Sequence, residues 1–325
     1  MPLHRLTRAC LASCLLLTAG AGFTTAATAA IPAAASTASD SVAITDSINT
    51  QTIKKNPKNV VVYDLAILEI LDVLGVKVSG LSLPQKKGSF PPFLSQYESG
   101  PYYNAGNPFK PDFETLRKEK PDLIIGGERA FESTDKFREI APTLEMTLDH
   151  AHLLQSLEQR TRSLGELFDR QPQAEAAIKA LEEDVNKVRP LAEKAGTAMT
   201  ILTTGDKLMG YGSGGKYGFI TDFIGFKDAT PLTHNSRFGE VIDSARIAKA
   251  NPQWIFVIDR DSVLGKSPGY SNARKLLDNA DVKGTDAAKN NRIIYLNAQE
   301  IYGSGGITTY RNQAQRIYQL LKDAK

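Results

Sequence analysis

The chain has 325 residues and a formal net charge of +3, from 39 Lys and Arg against 36 Asp and Glu, which is no footprint for nucleic acid. Both cysteines, Cys10 and Cys14, fall within the first 30 residues, so the rest of the chain has no thiol for a disulfide, a zinc finger or a soft-metal site. About 290 residues remain, enough for two lobes or one large domain with a substantial core.

His4, Arg5 and Arg8 precede an apolar run from Leu11 to Leu17 and then small residues ending at Ala30. Residues 1–30 therefore read as a secretory signal, cleaved near Ala29 or Ala30, with an apolar run too short to span a bilayer. Cys14 has the form of a lipid-attachment site, but it arrives before a full apolar region, so lipid anchoring is not expected. A small, polar leader and a first strand at Val42–Asp46 occupy residues 31–52.

From residue 53 the pattern alternates. Asn59–Asp64 is a β-branched strand, Leu65–Gly75 an apolar-periodic helix ended by glycine, and Lys77–Ser82 a second strand. Phe113–Gly127 repeats helix, proline and strand, and Phe137–Met146 runs from a helix into another strand. Residues 173–195 are rich in Ala, Glu, Lys and Leu and read as one long helix. Beyond it come strand Ala198–Thr204, helices Tyr217–Phe226 and Ser244–Pro252, strand Trp254–Arg260, helix Asn272–Ala280, strand Arg292–Asn297 and a final helix Tyr310–Ala324. The fold class is α/β: two Rossmann-like lobes, 53–172 and 196–325, joined by one long connecting helix. "KPDLII" and "NPQWIFVID" match in form, either through internal duplication or because any α/β unit looks this way.

Gly210–Tyr217 comes within one residue of a phosphate-binding loop, but Tyr217 stands where Ser or Thr is needed to hold magnesium. The strings around Ser213 and Ser304 lack the first glycine of a nucleophile elbow. Gly303–Gly306 reads either as a cap on the last strand or as close backbone approach to a ligand beside Tyr302. His150 and His152 form an HxH pair with no third ligand in sight, and His234 stands in a polar loop. Arg129, Lys216, Arg237 and Arg260 each sit in or near a loop after a strand or turn, where α/β sheets gather anionic ligands.

Together these segments resemble the periplasmic siderophore-binding proteins of iron ABC transporters, in the subgroup that takes ferric catecholates of the enterobactin and petrobactin type. The resemblance runs from about Ser41 to the end, through "KNPKNVVVYDLAILEILDVLG", "PDFETLRKEKPDLIIGGERAFESTDKFREIAPT", "LTH", "NPQWIFVIDRDSVLG" and "IIYLNAQEIYGSGGITT". It implies two lobes on a long helix, no catalytic step and no cofactor, with a ferric siderophore as the transported ligand. By motif, His234 and Tyr302 match the two residues that bind iron directly when the siderophore leaves two coordination places open. Arg129 and Arg260 match two of three arginines that hold the catecholate charge. The third departs: Lys216 in "GKYG" stands where relatives read Ser-Arg-Phe-Gly, while that string occurs later with Arg237. Glu69 and Asp222 fall near the acidic residues that dock such proteins on their permease.

The chemistry agrees with the resemblance. Ferric iron is hard and prefers oxygen donors, and both phenolate and imidazole serve as its ligands. A ferric bis-catecholate is singly negative and a tris-catecholate triply negative, and partly shielded arginine forks hold such oxygens by roughly 1.5–3 kcal/mol each. Lysine supplies charge without the planar fork. The expectation is a monomeric periplasmic binding protein that delivers a ferric catecholate to an inner-membrane ABC importer. Two alternatives stand beside it: another iron chelate, haem or a corrinoid in the same fold, or an exported metal-dependent hydrolase using His150, His152 and His234.

Overall fold

The computed structural model describes residues 40–83, 88–232, 237–264 and 272–324. The signal and leader, except for residue 40 onward, lie outside that set, as does His234. The described chain opens with an antiparallel hairpin, β1 (Ser41–Thr45) and β2 (Thr50–Lys54), whose turn is tied by Asp46 Oδ1 accepting from the Ile48 and Asn49 amides at 2.7 and 2.8 Å. The second strand of this hairpin was not anticipated from the sequence.

β3 (Val60–Val62) leads into α1 (Leu65–Val73), which starts where Asp64 accepts from the Ala66 and Ile67 amides at 2.8 and 3.3 Å. β4 (Gly80–Leu81), β5 (Tyr103–Asn104) and a small hairpin of β6 (Gly106–Asn107) and β7 (Lys110–Pro111) follow. Then come α2 (Phe113–Glu119), β8 (Leu123–Gly126), α3 (Thr134–Arg138) and β9 (Thr143–Glu145). The first sheet is all parallel in the order β5-β4-β3-β8-β9. Its central strands are apolar on both faces, as a sheet covered on both sides requires.

α4 (Leu153–Leu167) leads to α5 (Gln171–Ala195), the long helix expected over 173–195. Its 25 residues span about 37 Å at 1.5 Å each. Pro190 removes one intrahelical bond without ending the helix. Neighbouring contacts hold that turn, among them Arg189 Nε donating to the Phe223 carbonyl at 3.1 Å.

The second sheet contains β10 (Thr197–Thr204), β11 (Lys207–Tyr211), β12 (Lys227–Asp228) and β13 (Glu240–Ile242), followed by α6 (Ser244–Ala250), β14 (Trp254–Asp259) and α7 (Arg260–Leu264). Short helices α8 (Ala273–Leu277), α9 (Ala280–Lys283) and α10 (Asp286–Lys289) precede β15 (Ile293–Tyr295), and α11 (Ile307–Asp323) closes the chain. The order is β13-β11-β10-β14-β15 with β12 beside β10. β10, β14 and β15 are parallel, whereas β11 runs antiparallel to both of its neighbours, β10 and β13.

The sequence reading took Gly210 and Tyr211 into a glycine loop, but they close β11. It also read Tyr217–Phe226 as a helix, where the structure has only a short helical turn at Ile220–Ile224. Gly218 on one side and Gly225, at φ +106, on the other confine that turn.

One apolar cluster runs from Val60, Val62 and Ile125 through Ile178, Leu181 and Val185 of α5 to Leu202, Phe256 and Ile258. The long helix is thus the shared core of both sheets. α11 packs against both α5 and α1, so the end of the chain returns to the first sheet's side. Phe256 is fully buried, with its ring 5.2 Å from Phe226 and stacked on Trp254 at 6.3 Å. Phe256→Ala is expected to cost about 3–5 kcal/mol of stability, read as a lower urea midpoint with the slope unchanged.

Candidate functional site

The first requirement of the site is a carboxylate with no access to water. Glu69 on α1 is 0% exposed and accepts from the Ser304 hydroxyl, from the Gly306 and Thr309 amides at 3.1 and 2.8 Å, and from Thr309 Oγ1 at 2.7 Å. The close approach needs a glycine: a Cβ on Gly306 would lie 2.6 Å from the Ala66 carbonyl and 2.8 Å from Glu69 Oε2. Burial pushes the Glu69 carboxyl up to about 7, against the pull of its four donors. This corrects the docking role expected for Glu69. A carboxylate enclosed in this way offers no surface to another protein, and it ties the Gly303–Gly306 loop to the first sheet's helix instead.

Tyr302 precedes that loop, in the helical turn Gln299–Ser304; it is half-buried and lines a cavity of about 400 Å³. Arg260 Nε, at the start of α7, donates to the Tyr302 hydroxyl oxygen at 2.9 Å, and its guanidinium lies 5.6 Å from the ring centre. Thr204 Oγ1, 2.8 Å from Arg260 Nη1, holds the same guanidinium from β10. Arg129 approaches from the first sheet, in the loop after β8. It donates to the Tyr302 and Gly303 carbonyls, the latter at 3.1 Å, with its guanidinium 5.3 Å from the Tyr302 ring. The phenol is therefore flanked by two arginines that the sequence places 131 positions apart.

Lys216 lines another part of the cavity and meets Arg237 on a residue that the sequence does not single out. Glu128 accepts from Lys216 Nζ and lies 2.9 Å from Arg237 Nε; His150 Nε2 is 3.7 Å away. Burial alone would raise the Glu128 carboxyl, but the neighbouring His150 imidazole and the Lys216 ammonium bonded to it outweigh burial and hold the carboxyl well below the usual range. Its signal in the sequence was an acid directly before Arg129, on the same loop after a strand.

Asp222 is exposed, and it accepts from the Ser213 hydroxyl and from the Gly214 amide at 2.9 Å, organising the glycine loop that presents Lys216. The HxH pair separates: His150 lines the cavity, whereas His152 is exposed and pairs with Asp149 at 2.9 Å. Among the described residues, no group of three or more His, Cys, Asp or Glu is disposed to hold a metal ion. Tyr217, read only as a departure from a phosphate loop, is buried against the cavity, and burial pushes its hydroxyl well above the ordinary range. Phe109, at the tip of the β6–β7 hairpin, is 77% exposed at the cavity's edge.

The cavity is a largely apolar, aromatic-rich cleft whose wall carries Arg129, Lys216, the Tyr302 phenol and the carboxylates Asp64 and Glu128, with Arg237 paired to Glu128 and Arg260 bonded to Tyr302. It suits the capture of an anion that carries aromatic rings or a hard metal centre.

The sequence model of a family described as periplasmic binding protein matches residues 60–300. The petrobactin-binding protein YclQ of Bacillus subtilis is 31% identical over 274 residues, covering 84% of this chain and 83% of that protein. Its crystal structure superposes with a TM-score of 0.80 over 87% of this chain and 99% of its own, at 29% identity. The periplasmic catecholate-siderophore binding protein VctP of Vibrio cholerae gives a TM-score of 0.79 at 30% identity, covering 85% and 99%. The ferric-anguibactin-binding protein FatB of Vibrio anguillarum is 27% identical, covering 83% of this chain and 84% of that protein.

The Glu69 clasp has a pH signature. Its folded carboxyl titrates near 7 against an ordinary 4.5, so the folded chain binds that proton more tightly than the unfolded one. The group's contribution is full below about pH 4.5 and is lost as pH rises through 7, a fall on the order of 3 kcal/mol. Urea unfolding of Glu69→Gln between about pH 5 and about pH 8 is expected to lack that fall.

Proposed function

The chain belongs to the periplasmic binding protein family, whose model spans residues 60–300, and from that premise we propose that it captures a ferric catecholate siderophore and delivers it to an ABC importer. It is a substrate-binding protein and performs no catalytic step. The observation that carries the ligand reading is Tyr302 at the cavity wall, with Arg260 Nε on its oxygen at 2.9 Å and Arg129 across its ring. A phenol oxygen is a hard donor of the kind that suits ferric iron. Relatives whose names record petrobactin, anguibactin and catecholate siderophores support the same ligand class.

In this reading Tyr302 and His234 fill the two coordination places that a tetradentate bis-catecholate leaves open. Arg129 and Arg260 take the catecholate oxygens nearest the iron, with Lys216 or Arg237 as the third cation. Asp222, exposed beside the glycine loop, is the remaining candidate for docking on the permease. The protein is a monomer, exported to the periplasm by a signal over residues 1–30 and without a lipid anchor. The amino-terminal residue and mass of the mature protein test that export: a start near Ala30 and no added lipid mass are expected.

Titration with ferric bis- and tris-catecholates, followed by fluorescence quenching and visible absorption, tests the ligand. Tight binding is expected, with a charge-transfer band that shifts in Tyr302→Phe. Arg260→Ala is expected to weaken binding by roughly tenfold or more, since a charge-assisted hydrogen bond of about 1.5–3 kcal/mol is lost. Binding of neither complex to the wild-type protein overturns the proposal.

A further inference from the structure

We propose that Glu128 is an internal counter-anion of the cavity, and that its carboxylate biases the site toward ferric complexes of low negative charge. The inference rests on the siderophore reading for the identity of the ligand but not for its electrostatics.

Glu128 stands on the loop after β8, in the first sheet's half of the chain, and its side chain is 15% exposed. Its two cationic partners come from the other half: Lys216 from the loop after β11, and Arg237 at 2.9 Å from the segment before β13. His150, 3.7 Å away at the head of α4, faces the same oxygen as Lys216. The carboxylate therefore occupies two of the four cations that the sequence marks for an anionic ligand. Arg129 and Arg260 are engaged differently, on carbonyl, hydroxyl and phenol oxygens, although Asp261 lies 3.8 Å from Arg260. Part of the site is thus already neutralised from within, and a ligand must share Lys216 and Arg237 with a fixed negative charge.

The sign of the effect follows from Coulomb's law. A buried unit charge beside the ligand acts on every charge the ligand carries, so its cost grows in proportion to the ligand's net charge. A singly negative complex is penalised once and a triply negative one about three times as much in free energy. Such a bias fits the rest of the cavity. A bis-catecholate is the less charged complex and the one that leaves iron coordination places for Tyr302. Glu128 and Tyr302 select for the same ligand by different means, one by charge and one by coordination.

A second role is available to the same carboxylate: it could simply position Lys216 for the ligand. The two roles predict opposite signs when the charge is removed without change of shape.

The test compares wild type, Glu128→Gln and Glu128→Asp, each checked for folding by circular dichroism. Kd values are measured for ferric bis- and tris-catecholates, and separately the shift in thermal midpoint with iron-free citrate, a triply negative probe that needs no siderophore site. Expected for Glu128→Gln is about tenfold or greater tightening toward the tris-catecholate and only about twofold toward the bis-catecholate, shrinking as salt is raised. A larger citrate shift than in wild type is expected as well, while Glu128→Asp, which keeps the charge, follows wild type. Equal or weaker anion binding by Glu128→Gln in all arms overturns the inference in favour of a positioning role. A citrate difference that persists while neither ferric complex binds any of the three proteins keeps the counter-anion and overturns the siderophore reading instead.

Discussion

The binding cavity depends on one buried carboxylate. Glu69 leaves water entirely, and four donors, all from the short stretch between Ser304 and Thr309, offset part of that cost. Those donors lie directly after Tyr302, so the clasp holds the backbone next to the residue whose phenol Arg260 bonds. Glu300 reinforces it from the other side of Tyr302, accepting from Gln313 Nε2 at 2.9 Å and Arg316 at 2.7 Å. A loop with glycine at 303, 305 and 306 has little stiffness of its own. Its conformation is imposed by the two acids that bracket it.

With the loop held, the electrostatics of the cavity follow from which strand ends meet there. The first sheet sends in the loop after β8, with Glu128 and Arg129 on neighbouring residues. The second sends in Lys216 after β11, Arg237 before β13 and Arg260 after β14. Ligands of parallel α/β sheets gather at the carboxyl ends of strands, and the loops after β8 and β14 obey that rule here, whereas Lys216 follows the antiparallel strand β11 and Arg237 enters at the amino end of β13. Adjacent residues in the first loop have opposite tasks: Arg129 turns to the Tyr302 loop, and Glu128 turns to the cations opposite. The long helix α5 holds the two sheets against a common core, so these contacts between opposite sides are made by elements that share one apolar cluster.

Much of this was legible in the sequence where the signal is local. Val60–Val62, Leu123–Gly126 and Trp254–Asp259 are continuous β-branched or apolar runs ended by turn residues, and each is a central parallel strand. The Ala-, Glu- and Lys-rich stretch became α5 nearly to the residue. Less legible were β11 and β13, because Lys207–Tyr211 and Glu240–Ile242 are short and their pairing is an antiparallel one between segments that the sequence separates by a loop. Tyr217–Phe226 has the apolar content of a helix, yet the glycines at 218 and 225 confine it to a turn.

Side-chain roles divide along the same line. Arg129 and Arg260 could be singled out because they follow predicted strands, which is a local property, and Tyr302 because its motif resembles that of the family's iron ligand. Glu69 and Asp222 looked alike as helix carboxylates, but only tertiary contacts show that one is enclosed by the Gly306 loop and the other is exposed. Glu128 carried almost no signal of its own, since its meaning comes from Lys216 and Arg237, 88 and 109 positions later. The sequence by itself determined the alternation of strands and helices, the connecting helix and the residue types available to an anion, because periodicity and turn chemistry act over a few residues. Which charges face one another was decided by the tertiary structure alone, because burial and pairing are properties of segments brought together from opposite ends of the chain.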